Sequence, residues 1–134
     1  MVDKKELKRN DLLYPELSYQ IIGILFEVYN KMGYGYQEKY YQKAISEKLK
    51  EINLPFREQF VVEITFNNNE IGKYFLDFII ENKIILEIKR MDKFFKKDIE
   101  QAYAYLKATN LKLGILANFT KRGLQFKRIV NLNS

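Results

Sequence analysis

Apolar residues recur at helical spacing from Leu17 through Ile21, Ile24, Leu25 and Val28 to Met32. This predicts a first helix from about Ser18, a candidate N-cap, to Met32, with Gly33 as its stop. Gly33-Tyr34-Gly35 makes a turn, and a second helix spans about Gln37 to Ile52 with Tyr41, Ala44, Ile45, Leu49 and Ile52 on one face. Beyond Pro55 the period shortens to two: Phe60, Val62, Ile64 and Phe66 alternate within a strand over Phe56–Phe66. Asn67-Asn68-Asn69-Glu70 reads as a hairpin loop, and the strands Ile71–Ile80 and Ile84–Arg90 flank the short connection Glu81-Asn82-Lys83. A third helix covers about Lys96 to Thr109, with Ile99, Ala102, Tyr103 and Leu106 facing inward. The run LKLGILANF at 111–119 is a buried strand, and Leu124–Val130, after Gly123, adds an edge strand. The order α, α, β, β, β, α, β, β predicts an α/β (α+β) fold with a mixed sheet flanked by helices. Without repeats or a Pro/Gly/Ser-rich linker, one domain is expected over 1–134, with residues 1–13 as a polar arm.

Composition narrows the chemistry. The chain has 134 residues, 47% of them hydrophobic, enough for a core without cross-links. It has no Cys and no His, which excludes a typical zinc site, a Ser-His triad and a thiol nucleophile. Any reaction must run on carboxylates, Lys, Tyr, Ser or Thr, with a hard metal ion held by oxygen ligands as the natural helper. No apolar run approaches the roughly 20 residues of a membrane-spanning helix. The start MVDKKELKRNDLLYPE lacks an apolar signal core, so the cytoplasm is the expected location.

Charge is unevenly placed. Residues 1–82 carry 11 basic and 13 acidic side chains, whereas 83–134 carry 12 basic and 4 acidic, so the net charge of +6 comes from a C-terminal part at +8. Such a basic region points to an anionic partner, nucleic acid being the commonest, or to a lysine-rich solvated surface.

Ile84-Ile85-Leu86-Glu87-Ile88-Lys89 reads as a central strand covered on both faces, yet it carries Glu87 and Lys89 on one face. Burying charges costs several kcal/mol per ion, so their presence needs a reason. Asp77 is likewise the sole acid in Tyr74-Phe75-Leu76-Asp77-Phe78-Ile79-Ile80. A hairpin turning symmetrically about Asn82 sets Asp77 opposite Glu87, with Cβ atoms about 4.5–5.5 Å apart. Carboxylates that close repel, which raises a pKa or recruits a cation such as Mg²⁺. A slip of one residue would put them on opposite faces. The competing reading is an edge ladder of Glu87 and Lys89, with Asp77 paired to a nearby Lys.

Asp77 followed ten residues later by Glu87-Ile88-Lys89 resembles the PD-(D/E)xK signature of the restriction-endonuclease-like nuclease superfamily. The order αβββαβ over residues 37–118 is similar to that superfamily's core. Gly35-Tyr36-Gln37-Glu38-Lys39-Tyr40-Tyr41 resembles the G-x-x-E-x-x-Y motif of its GxxExxY proteins, and Gln101 to Tyr105 resembles the Q-x-x-x-Y helix of RecB-like nucleases. The resemblance covers about residues 18–130. It departs at Leu76, where the signature has Pro, and at Tyr29 and Tyr34, where the family often has His and Pro.

The resemblance implies a Mg²⁺- or Mn²⁺-dependent nuclease acting on DNA. Asp77 and Glu87 would be direct metal ligands, assisted by the Ile88 carbonyl, with Glu38 a third acid reaching the metal directly or through water. Lys89 would orient the attacking water and offset transition-state charge. Gln101 and Tyr105, spaced i, i+4, would border the site. Candidate phosphate contacts are Lys93, Lys96, Lys97, Lys121, Arg122, Lys127 and Arg128. Nothing reads bases, so no sequence specificity is expected. Two alternatives stay open: a structure-selective cutter similar to the compact junction resolvases, which are basic homodimers, and an inactive nucleic-acid-binding or partner-docking module. Homodimerisation is open too, with Phe94, Phe95 and Phe119 as candidate interface rings.

Overall fold

The computed structural model describes residues 13–132, so the polar arm expected over 1–13 lies outside the described residues except for Leu13. The elements run α1 (Pro15–Met32), α2 (Glu38–Glu51), β1 (Phe56–Phe66), β2 (Asn69–Ile80), β3 (Ile84–Lys89), α3 (Lys96–Thr109), β4 (Leu113–Thr120) and β5 (Gly123–Val130). The strands form one sheet in the order β1-β2-β3-β4-β5, in which only β3 and β4 are parallel, joined by α3. This is the mixed sheet with flanking helices that the sequence pattern predicts.

Helices cover both faces of the sheet. On one face, Leu17, Ile21, Leu25 and Val28 of α1 and Tyr41, Ile45 and Leu49 of α2 pack on Phe78, Ile80, Leu86, Ile88, Ile115 and Phe119. On the other, Ala102, Tyr105 and Leu106 of α3 pack on Leu76, Ile79, Ile85, Leu116 and Ile129. β3 and β4 lie between the two layers, which is why their sequences are almost continuously apolar.

Several boundaries differ from the sequence reading, each for a local reason. Ser18 is not the N-cap: α1 begins at Pro15, whose fixed φ suits a first helical position, and Ser18 is buried inside the helix. Asn69 and Glu70 belong to β2, because Asn67 and Asn68 alone make the turn. Both have positive φ (51° and 65°), as a two-residue type I′ hairpin turn requires. Ile52 caps α2 and is 41% exposed instead of joining its inner face. On α3 the inward tyrosine is Tyr105, and Tyr103 is only partly buried. Phe119 is fully buried, which removes it as an interface ring; Phe94 is half-buried and Phe95 exposed.

One irregularity matters for the site. Glu58 pairs with Phe78 and Phe60 with Leu76, but Gln59 and Asp77 between them leave the ladder, and Gln59 has φ 48°. Leu76 packs on the α3 side while Phe78, two residues later, packs on the α1–α2 side. A regular strand would put both on one face. The chain therefore kinks at Asp77, which sits where β2 changes faces.

Candidate active site

The β2–β3 hairpin supplies the carboxylates. Its ladder pairs Phe78 with Leu86, Ile79 with Ile85 and Ile80 with Ile84, the register of a turn centred on Asn82. Asp77 and Glu87 come one step beyond the last pair, where the two backbones part. The Asp77 carboxylate bridges the gap: its Oδ2 accepts a hydrogen bond from the Ile88 N–H at 2.7 Å. A side chain here does the work of a ladder carbonyl, and it holds the acid at the open end of the hairpin.

Glu87 is the most perturbed acid of the described residues. It is 5% exposed, and its Oε1 is buried with no hydrogen-bond partner. An unpaired buried acceptor is expensive, and an ionised one more so. Burial, followed by the charge of Asp77 and the contact between the two carboxyls, pushes the Glu87 pKa up to about 9. The Lys89 ammonium pulls the other way. Lys89 follows Glu87 on the same face and is half-buried.

Two of the other expected residues, Glu38 and Tyr105, feel the charge of this pair. Glu38 opens α2 and is exposed as a residue, yet its carboxyl feels the site: burial raises its pKa, Lys89 lowers it, Asp77 raises it and Arg90 lowers it. Glu38 is not part of a closed cage. Among the described residues, no three acidic side chains converge tightly enough to form a complete metal cluster. Tyr105 is buried, with its ring 4.7 Å from that of Tyr74, and burial together with Glu87, Tyr74 and Asp77 raises its hydroxyl pKa. It therefore lies beneath the carboxylates on the α3 side. Gln101, one helical turn earlier, is half-buried.

Five of the basic candidates follow the carboxyl ends of β3 and β4. Lys93 and Lys97 place their ammonium groups 5.6 and 5.8 Å from the centre of the Phe95 ring, and Lys96 is 3.8 Å from Glu100. Lys121 and Arg122 are exposed in the β4–β5 turn. Lys127 and Arg128 lie further along β5, and the Arg128 Nε is buried without a partner.

The sequence reading missed two contributors, Asn118 and Arg90, whereas Tyr41 is read from it as a core residue or one that positions Glu38, and it is both. Asn118 is fully buried, pairs in register with Lys89, and accepts the Met91 N–H at 2.7 Å, which pins the chain as it leaves β3; its Nδ2 has no partner. Its signal was one amide in the otherwise apolar run Leu113 to Phe119. Arg90 stacks at 5.5 Å on the Tyr34 ring beside Glu38. Tyr41 is fully buried, stacks on Phe119 at 4.1 Å, donates its hydroxyl to the Gly33 carbonyl at 2.6 Å and accepts the Tyr36 N–H. It thus fixes the turn that delivers Glu38. Tyr29, standing where a His is frequent, donates to the Thr120 carbonyl at 2.6 Å and ties α1 to the end of β4.

This donor set suits a small, hard cation. Mg²⁺ is usually held by one or two carboxylates plus water and substrate oxygens, not by an all-protein cage. Two adjoining carboxyls with one buried, unpartnered oxygen match that demand.

Comparison with known proteins agrees with this fold. The sequence model described as the PD-(D/E)XK nuclease superfamily matches residues 15–129. The chain belongs to that superfamily of nucleases, whose substrates are nucleic acids. Among solved structures, the protein crystallised as SSO0001 superposes with a TM-score of 0.55 and 20% identity, over 69% of this chain and 49% of that one. The alkaline exonuclease LHK-Exo from Laribacter hongkongensis gives a TM-score of 0.49 and 13% identity, over 64% of this chain and 52% of its own. The chain thus spans about half the length of these structures. A search of curated proteins found no match. No helix among the described residues is long and apolar enough to cross a membrane.

Proposed function

We propose that this protein is a Mg²⁺- or Mn²⁺-dependent deoxyribonuclease that hydrolyses phosphodiester bonds in the cytoplasm. The observation that carries the reading is the buried, unpartnered Glu87 Oε1 beside the Asp77 carboxylate, with Lys89 next along the same face. Asp77 and Glu87 would hold the metal, with the Ile88 carbonyl completing the protein's share and Glu38 acting from the rim. When bound, a divalent ion stabilises the charge of the reacting phosphate and lowers the pKa of an attacking water.

The chain's own groups do the rest. Hydrolysis joins a water oxygen to phosphorus, breaks the bond to one ester oxygen and passes a proton of that water to the departing oxygen. Lys89 orients that water and offsets negative charge growing on the phosphoryl oxygens, where a preplaced cation acts without reorganising. Asp77, fixed by the Ile88 N–H, keeps its position as charge moves. Tyr105 packs under the carboxylates, Gln101 faces the same side, and Lys93, Lys96, Lys97, Lys121 and Arg122 contact phosphates flanking the cut.

Within the superfamily we assign the chain to the GxxExxY proteins on Gly35, Glu38 and Tyr41. The hydroxyl of Tyr41 supports this, since its two bonds shape the turn before Glu38. Homodimerisation finds its support in the exposed Val61 and Phe75, paired across β1 and β2. Light scattering reads it directly.

The test is cleavage of single-stranded, duplex and branched DNA by purified protein with Mg²⁺, Mn²⁺ or EDTA. Wild type is expected to cut only with metal, and Asp77→Asn and Lys89→Ala to lose at least about 100-fold in rate. Equal activity in wild type and both variants, or full activity in EDTA, overturns the assignment.

A further inference from the structure

The rim of the site holds three tyrosines whose rings remain partly open to solvent. Tyr34, Tyr36 and Tyr40 are 44%, 48% and 44% exposed and flank Glu38 along the chain. Each ring meets a cation or another ring. The Arg90 guanidinium lies 5.5 Å from the centre of Tyr34, and the ammonium groups of Lys39 and Lys43 lie 5.2 and 5.9 Å from that of Tyr40. Tyr36 meets Tyr40 edge-on at 6.5 Å. A groove of about 360 Å³ between α2 and β1 has Lys39, Lys43 and Asp77 in its walls, so it runs from the cations on the Tyr40 ring to the Asp77 carboxylate. Glu47 and Glu58 also line the groove. Phosphates are therefore favoured at its Lys39–Lys43 end, where the rings are.

We propose that this rim binds the unpaired bases of a single DNA strand, so that the site takes its scissile phosphate from single-stranded or frayed DNA. The reason lies in which surfaces each form of DNA offers. A duplex hides its base faces in the stack and presents phosphates, for which cations alone suffice. An unpaired strand also exposes π-faces, and exposed aromatic rings interleaved with cations match both features. Bases stack on Tyr34, Tyr36 and Tyr40, while Lys39, Lys43 and Arg90 take the intervening phosphates. The destination of the strand rests on the nuclease reading; the binding surface does not.

Fluorescence anisotropy in EDTA tests the surface without turnover, using a labelled single strand of about 12 nucleotides, within the span such surfaces cover, and a blunt hairpin duplex. Wild type should bind the single strand about 10-fold more tightly than the duplex. Tyr36→Ala and Tyr40→Ala should each weaken single-strand binding about 5-fold or more and leave duplex binding unchanged. Tyr40→Phe, which keeps the ring, should bind as wild type. Tyr36 also meets the buried Tyr41 ring edge-on at 6.0 Å, so the Tyr40 variants, whose thermal melting should be unaltered, are the ones that decide. Equal affinity for both DNA forms, or Ala variants that bind like wild type, overturns the proposal. So does a dimer in light scattering that the Ala variants dissolve, which would make this face a contact between copies. Cleavage with Mn²⁺ is scored separately. Single-strand binding without cleavage of any DNA ends the nuclease reading and upholds the surface. Blunt duplex cut as fast as single strand ends the surface and upholds the nuclease.

Discussion

Glu87 is the residue where fold and function pull against each other. Its carboxyl belongs to the proposed metal site but sits among apolar side chains, and burial holds it protonated, with a pKa near 9 against a reference of 4.5. The sign of the consequence follows from proton counting. Between those two values the folded protein keeps a proton that the unfolded chain has released, so stability falls as pH rises. Below about pH 4.5 both states are protonated and the loss vanishes. The urea midpoint, measured without divalent ions, should therefore drop between pH 5 and 9, and Glu87→Gln should flatten that drop. Identical pH profiles for wild type and variant would mean that Glu87 is not held neutral. At the same scale, Asn118 and Tyr41 fix the backbone next to Lys89 and Glu38, the first by gripping the Met91 N–H and the second by shaping the Gly33–Tyr36 turn.

At the scale of elements, the β2–β3 hairpin and the longer β1–β2 hairpin solve different problems. The first is short, and its paired residues Phe78–Ile80 and Ile84–Leu86 are all buried, so hydrophobic packing locks its register. The second projects beyond the core, with Phe66 and Ile71 65% and 67% exposed, and relies more on its turn. Asn67 and Asn68 both adopt positive φ there. Glycine follows asparagine in the most favourable two-residue turn of this type, because it has no Cβ to crowd the left-handed conformation. Asn68→Gly should thus stabilise the protein by about 0.5 kcal/mol in urea unfolding. A destabilised variant would show that the Asn68 side chain contributes something the backbone does not require. The kink opposite Gln59 belongs to this scale too. It turns Leu76 and Phe78 to opposite layers and leaves Asp77 free to reach the Ile88 N–H instead of continuing a ladder.

Over the whole molecule, the carboxyl ends of the parallel strands β3 and β4 gather Lys89 and Asn118, the Lys93–Lys97 segment and the Lys121–Arg122 turn at one edge. This edge is where the basic excess of residues 83–134 becomes a surface. If Lys121 and Arg122 each neutralise a phosphate, Lys121→Ala/Arg122→Ala should reduce the slope of log affinity against log salt by about 2, one per cation. An unchanged slope in binding titrations across salt would place the strand elsewhere. Much of this was legible in the chain itself. Helical and two-residue periodicities located every described element to within a few positions, because burial of one face imposes them. The hairpin register followed from its short turn, and with it the meeting of Asp77 and Glu87. What required the tertiary structure was everything set by packing between distant segments. The face switch at Asp77, the grip of Asn118 on the chain after β3, the anchoring of the Glu38 turn by Tyr41 and Phe119, and the groove running from Lys39 and Lys43 to the Asp77 carboxylate leave no periodic trace. Each depends on where a separate element comes to rest, and local sequence pattern carries no information about that distance.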